Sequence, residues 1–177
     1  MCYDIHLVNY IEVNSMRKKV VQVYYGAGKG KTTAAIGQCI RSAGLGHSVV
    51  IIQFLKGRDV EEFSFLNKLE PEIKLFRFEK AREFYCKLSP EEQNEEKRNI
   101  LNGMNFARKV IETGECDTLV LDEVLGLVDY GIISYEDIIK IIELRDDYFK
   151  LVLTGDTLPD ELVDYVDVIS KIEPIKG

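Results

Sequence analysis

Val20-Val21-Gln22-Val23-Tyr24-Tyr25-Gly26-Ala27-Gly28-Lys29-Gly30-Lys31-Thr32-Thr33-Ala34-Ala35-Ile36-Gly37 is the stretch that decides the fold. Residues 20–24 form a β-branched and aromatic run that reads as a strand. A turn rich in glycine follows, and residues 31–43 then read as a helix that Gly44-Leu45-Gly46 ends. Set against the phosphate-loop pattern G-x-x-x-x-G-K-[ST], Gly30, Lys31 and Thr32 match, while Tyr25 stands where the first glycine belongs. The turn is therefore a modified P-loop. Its glycines let the backbone curl its N–H groups around phosphate oxygens, and the start of the helix adds unpaired amides and a positive dipole end. Lys31 supplies a mobile positive charge, and the Thr32 hydroxyl can ligate Mg²⁺.

Outward from this turn, short apolar runs alternate with segments of helical period. Residues 48–54 form a nearly all-apolar strand, as expected of one covered on both faces. Residues 59–69 carry Val60, Phe63, Leu66 and Leu69 at helical spacing, and residues 74–78 read as a third strand. Ser89-Pro90-Glu91-Glu92 combines a Ser cap, a first-turn Pro and a Glu at the third position, so a long helix runs from there to about residue 112. Its apolar face carries Ile100, Met104, Ala107 and Ile111. Strands at 117–121 and 150–154, a helix from Ser134 to Leu144, a short helix at 159–165 and a last run at 167–172 complete the pattern. Repeated alternation of this kind predicts an α/β fold of the P-loop NTPase type. Its sheet is mainly parallel, with about six strands and helices on both faces, because parallel strands need crossover connections.

A magnesium ion beside a triphosphate needs a second protein oxygen, supplied from the end of another apolar strand. Thr118-Leu119-Val120-Leu121-Asp122-Glu123 meets that need. Successive strand residues face opposite ways, so one acid of the pair points at the metal directly.

Composition narrows the function classes. The chain has 177 residues, 46% hydrophobic and 30% charged, which predicts one ordinary domain that folds without disulfides. Its 23 basic against 30 acidic residues leave a net charge of −7, the wrong sign for a protein that tracks a nucleic acid. Cys2, Cys39, Cys86 and Cys116 are far apart, as are His6 and His47, so spacing indicates free thiols rather than a zinc site. No uncharged run approaches the roughly 18 residues of a membrane span, and no secretory signal is evident, so the expected location is the cytoplasm. Met16 precedes a basic triplet and reads as an alternative start, making residues 1–15 an extension and 16–177 the domain.

These residues alone leave ATPases, small-molecule kinases, transferases and non-catalytic binding proteins open. Four segments together discriminate among them: residues 25–37, Val50-Ile51-Ile52-Gln53-Phe54-Leu55-Lys56-Gly57, Leu119-Val120-Leu121-Asp122-Glu123 and Leu151-Val152-Leu153-Thr154-Gly155. In that order they resemble the P-loop corrinoid adenosyltransferases, over about residues 20–177. The resemblance implies that the reduced cobalt of a corrinoid attacks the 5′ carbon of ATP and expels triphosphate. It also implies a role for each matching residue. Gly26, Ala27, Gly28, Lys29, Gly30, Lys31, Thr32 and Thr33 hold the phosphates, Thr32 and Glu123 hold Mg²⁺ with Asp122 supporting, Lys31 and Glu123 are the catalytic candidates, and Arg41 belongs to the nucleotide site. Read without the resemblance, Arg41 is equally an exposed helix-end charge.

Within residues 76–86, Phe84 and Tyr85 are the candidates to meet the corrin, whereas Phe76 and Phe78 alternate with charge as strand core. The implied partners are ATP, a corrinoid and a flavoprotein reductant, with a homodimer as the implied assembly. The chain departs from the family in lacking tryptophan, in carrying Asp156 where relatives have arginine, and in reaching Gly177 without the closing segment expected there. P-loop hydrolysis or phosphoryl transfer, and corrinoid or nucleotide sensing without turnover, remain the alternative readings.

Overall fold

Six short runs of Val, Ile and Leu pair side by side in the computed structural model, which describes residues 19–55, 65–81, 83–144 and 149–176. They are β1 (Val20–Tyr25), β2 (Val49–Gln53), β3 (Ile73–Arg77), β4 (Thr118–Asp122), β5 (Lys150–Gly155) and β6 (Val168–Lys171). Their order is β3-β2-β4-β5-β1-β6, and every pairing is parallel, so the sheet is parallel throughout rather than mainly so.

Alternation along the strands feeds two cores, because successive side chains leave opposite faces. On one face, helix α1 (Lys31–Gly44) lays Ala35 and Cys39 on Ile51, Ile73, Val120 and Val152. On the other, Val50, Ile52, Leu119, Leu121, Leu151 and Leu153 meet helix α2 (Pro90–Glu112) through Ile100, Met104 and Ala107. Ile138, Ile141 and Ile142 of a later helix join this second core. Each fully buried Leu or Ile contributes about 1.5–3 kcal/mol. Truncation of a fully buried β4 side chain, Leu121→Ala, would cost about 2–5 kcal/mol because a cavity is left behind.

The start of α2 forms as its sequence dictates. The Glu92 N–H donates to the Ser89 hydroxyl at 3.4 Å, and the Glu92 carboxylate accepts the Ser89 N–H at 2.9 Å. The Ser89 N–H and then the Ser89 hydroxyl, which donates to the same carboxylate at 2.8 Å, hold the Glu92 carboxyl below its usual value. One helix escapes the sequence pattern: α3 (Val124–Asp129), directly after the acid pair. Val124, Leu125, Gly126 and Leu127 are all buried, so no polar face marks a helical period. Helix α4 (Tyr135–Glu143) follows where Ser134 announces it.

Of the helix expected over residues 59–69, the described part is a 3₁₀ turn, Leu66–Leu69, and residues 56–64 lie outside the described residues. The short helix near residue 160 is likewise 3₁₀, Asp160–Tyr165. Residues 1–15, with Cys2 and His6, also lie outside the described set. Among the described residues no helix is long and apolar enough to cross a membrane. Burial pushes the Cys39 thiol up to about 12, which makes it an inert core residue.

Sheet order has a direct effect on the site. Strand β5 stands between β1, which carries the glycine turn, and β4, which carries the acids. The C-terminal end of β5 therefore belongs to the same corner of the molecule.

Candidate functional site

The glycine turn is pinned from two sides. The Gly26 N–H donates to the carbonyls of Asp156 (3.0 Å) and Gly155 (3.3 Å), and the Gly28 N–H donates to the Ile172 carbonyl at 3.0 Å. A Cβ on Gly26 would collide with that same carbonyl, and one on Gly28 would lie 2.8 Å from it, so no larger residue fits either place. Gly30 caps α1, whose first amides have no intrahelical partner. Ala27, Lys29, Gly30 and Thr33 are exposed along the outer side of the turn.

Lys31, the first residue of α1, is only 7% exposed. Its Nζ donates to the carbonyl oxygens of Gly26 (2.7 Å) and Gly28 (3.2 Å) and to Asp156 Oδ1 (2.8 Å). The next residue reaches the acid strand, since Thr32 Oγ1 donates to Asp122 Oδ1 at 2.9 Å.

Asp122 is 1% exposed and is satisfied by its neighbours in the sheet. Thr154 of β5 donates to Oδ1 at 2.8 Å, and Gln53 of β2 donates its amide N–H to Oδ2 at 2.8 Å. Glu123 follows with φ of 61°, a left-handed backbone uncommon for a side chain of its size. Its N–H donates to Thr154 Oγ1 at 2.8 Å, and its side chain is half-buried. Oxygen donors of this kind, the Thr32 hydroxyl beside the Asp122 carboxylate, suit a hard cation that keeps most of its shell for phosphate and water.

The structure thus brings Lys31, Thr32 and Asp122 together as the sequence pattern suggests, and adds Gln53, Thr154 and Asp156. In the sequence Gln53 and Thr154 stand only within strand runs, and Asp156 only as a departure from the family's arginine. Their role depends on which strands are neighbours, a matter of topology that no local signal carries. Arg41 is different. It sits exposed in the last turn of α1, ten residues and about 15 Å along the axis from Lys31. It lies near Lys150, at the opposite end of the sheet, where its charge helps to depress the lysine's proton affinity after the larger effect of burial. The structure does not bring it to the glycine turn.

Residues 17–177 match the family described as ATP:corrinoid adenosyltransferase BtuR/CobO/CobP. The chain belongs to this family. It is 28% identical to the corrinoid adenosyltransferase CobA of Salmonella typhimurium over 89% of this chain and 78% of that protein. It is 26% identical to the corrinoid adenosyltransferase of Escherichia coli K12 over 89% of this chain and 78% of that one. An uncharacterized protein of Nostoc sp. is 31% identical over 88% of this chain, which spans only 44% of that protein's length. Among solved structures, a DNA replication initiation factor covers 98% of this chain with 14% identity and a TM-score of 0.41, too slight a likeness to bear on fold or function.

The aromatic candidates of this adenosyltransferase-family chain lie on the stretch after β3. Phe84 is 55% exposed, with Lys87 Nζ 5.7 Å from its ring centre. Tyr85 is half-buried, its ring centre 5.3 Å from that of Tyr130, a neighbour the sequence does not indicate. The Tyr130 hydroxyl is pushed above its ordinary value, first by desolvation, then by a hydrogen bond to Cys86 and the nearby charges of Asp129 and Asp156. Tyr130, which feels the charge of Asp156, thus connects the aromatic pair electrostatically to the residue that holds Lys31. Phe76 of β3 and Phe78, one residue past that strand, are half-buried at the edge of the core and tilt against Phe106, with ring centres 4.7 and 5.5 Å away.

The stretch itself is anchored by two carboxylates. Glu96, 5% exposed, accepts the N–H groups of Lys80 (3.0 Å) and Ala81 (2.9 Å). Glu79 accepts the Leu55 N–H at 2.7 Å, and burial raises its carboxyl above the ordinary value against the lowering effect of that bond. Both line a small cleft with Leu55, Tyr85, Leu88 and Ile100.

Proposed function

We propose that this protein transfers the 5′-deoxyadenosyl group of ATP to the Co(I) centre of a corrinoid and releases triphosphate. The observation that carries the reading is the fixed corner of Lys31, Thr32 and Asp122 in a chain of the adenosyltransferase family. In the reaction the lone pair of the corrinoid's Co(I) forms a bond to C5′ of ATP. The C5′–O5′ bond breaks, and its electron pair leaves with the triphosphate. No proton need move at the reacting atoms, so the protein's work is to hold charge in place and to keep water away.

Lys31 and the first amides of α1 bind the triphosphate, and Ala27 to Thr33 line its path. Thr32 and Glu123 would hold Mg²⁺. Asp122, buried and already accepting three side-chain hydrogen bonds, supports them by orienting the Thr32 hydroxyl. When bound, the ion offsets the charge that builds on the departing triphosphate. Phe84 and Tyr85 offer the corrin an apolar face beside this corner. A flavoprotein supplies the electron that produces Co(I), and the assembly is a homodimer.

The test is incubation of the protein with ATP, Mg²⁺ and chemically reduced cobalamin. The proposal expects the absorption of a light-sensitive Co–C product to grow with time. Folded, ATP-binding protein that yields no such product would sink it.

A further inference from the structure

The ammonium of Lys31 has three N–H donors, and all three are engaged, with the Gly26 carbonyl, the Gly28 carbonyl and Asp156 Oδ1. A phosphate oxygen can join it only by replacing one of them. The two carbonyls are fixed, because Gly26 and Gly28 are themselves tied through their amides to Asp156 and Ile172 and hemmed in by the Ile172 backbone. The carboxylate is not fixed in this way. The Asp156 side chain is 69% exposed and turns on its own torsions, while that of Lys31 is 8% exposed.

We propose that Asp156 is a positioning residue of the nucleotide site, holding the Lys31 ammonium in the turn and yielding that place to a triphosphate oxygen on binding. This rests on the reading of the turn as a phosphate cradle. After the exchange the carboxylate cannot go far, since its own carbonyl still accepts the Gly26 N–H at 3.0 Å. A negative charge therefore stays beside a polyanion. Asp156 thus lowers affinity twice, by competing for Lys31 and by repelling the bound phosphates, and it does so for phosphate-bearing ligands only. Because the carboxylate side of the pair lies largely in solvent, it is weak enough to be exchanged, and the effect is screened by salt.

The test is calorimetric titration of the full chain with ATP, inorganic triphosphate and adenosine, in wild type, Asp156→Asn and Asp156→Ala. Asparagine keeps an acceptor oxygen and removes the charge; alanine removes both. Both variants are expected to bind ATP and triphosphate roughly five- to tenfold tighter at low salt, with adenosine affinity and melting temperature unchanged and the gain shrinking as salt rises. A merely structural residue would move all three ligands together or shift the melting temperature. ATP affinity that stays the same or falls in both variants overturns the proposal. If Lys31→Ala then still abolishes ATP binding, the phosphate cradle survives and only the role of Asp156 fails. Absence of ATP binding in wild type and both variants overturns the two together.

Discussion

The phosphate corner and the aromatic stretch lie side by side, yet they are held in very different ways. At the corner, the turn is tied to β5 and to Ile172 through its own amides, and the acid Asp122 is held by donors from α1, β2 and β5. Among its described residues the stretch over 78–88 has one short 3₁₀ turn, Tyr85–Lys87, and an exposed Phe84; the buried Glu96 grips its backbone, and the half-buried Glu79 holds that of Leu55. Small, highly charged groups demand donors fixed in advance, because reorganising dipoles around a developing charge would cost the rate enhancement they provide. A broad apolar ring demands area and shape, which a loosely framed aromatic surface can supply.

Four substitutions would break or sharpen that contrast. Lys31→Ala strikes the rigid side. ATP affinity is expected to fall roughly a hundredfold, since several charge-assisted hydrogen bonds are lost, while corrinoid affinity holds. Equal ATP affinity in a folded mutant, measured by titration, would refute the assignment of the turn. Glu96→Ala strikes the frame of the loose side. Two backbone amides lose their acceptor, at a cost of about 1–3 kcal/mol, so thermal melting should fall while ATP affinity changes little. A variant that melts like wild type would mean that Glu96 does not anchor the stretch.

Phe84→Ala should cost about 0.5–1.5 kcal/mol of corrinoid binding and leave ATP untouched, because an exposed ring contributes only through the ligand it covers. Spectroscopic titration with cobalamin reads this directly, and an unchanged affinity would remove Phe84 from the corrin surface.

Glu79→Gln has the smallest expected effect. The folded-state value of Glu79 is raised, so the folded protein binds the proton more tightly than the unfolded chain does. Its contribution to stability is therefore fully present below about pH 4.3 and lost as pH climbs from there through the raised folded value. The variant should flatten that slope and melt about a degree or two higher at pH 7. A steeper slope, or a lower melting temperature at pH 7, would contradict the sign.

Much of this could be read before the structure. The strands announce themselves as β-branched runs between turn signals, and α2 through its cap at Ser89. Lys31, Thr32 and Asp122 were legible because a phosphate loop and a carboxylate at the end of an apolar strand are local patterns. Helix α3 was not, since Val124-Leu125-Gly126-Leu127 is apolar on every side and has no capping residue. Gln53, Thr154 and Asp156 could not be placed because their part in the site arises from strand order: β4 lies between β2 and β5, and β5 lies beside β1. Arg41, which the family resemblance assigns to the nucleotide site, sits exposed in the last turn of α1, at the end away from Lys31.

The phosphate products of a single incubation test the central claim most directly. With ATP, Mg²⁺ and chemically reduced cobalamin, phosphorus NMR should show inorganic triphosphate accumulating in equal amount to the adenosylated corrinoid, because the bond that breaks is C5′–O5′. Accumulation of ADP and orthophosphate, with the corrinoid unalkylated, would contradict the reaction and place the chain among P-loop enzymes that cleave between phosphates.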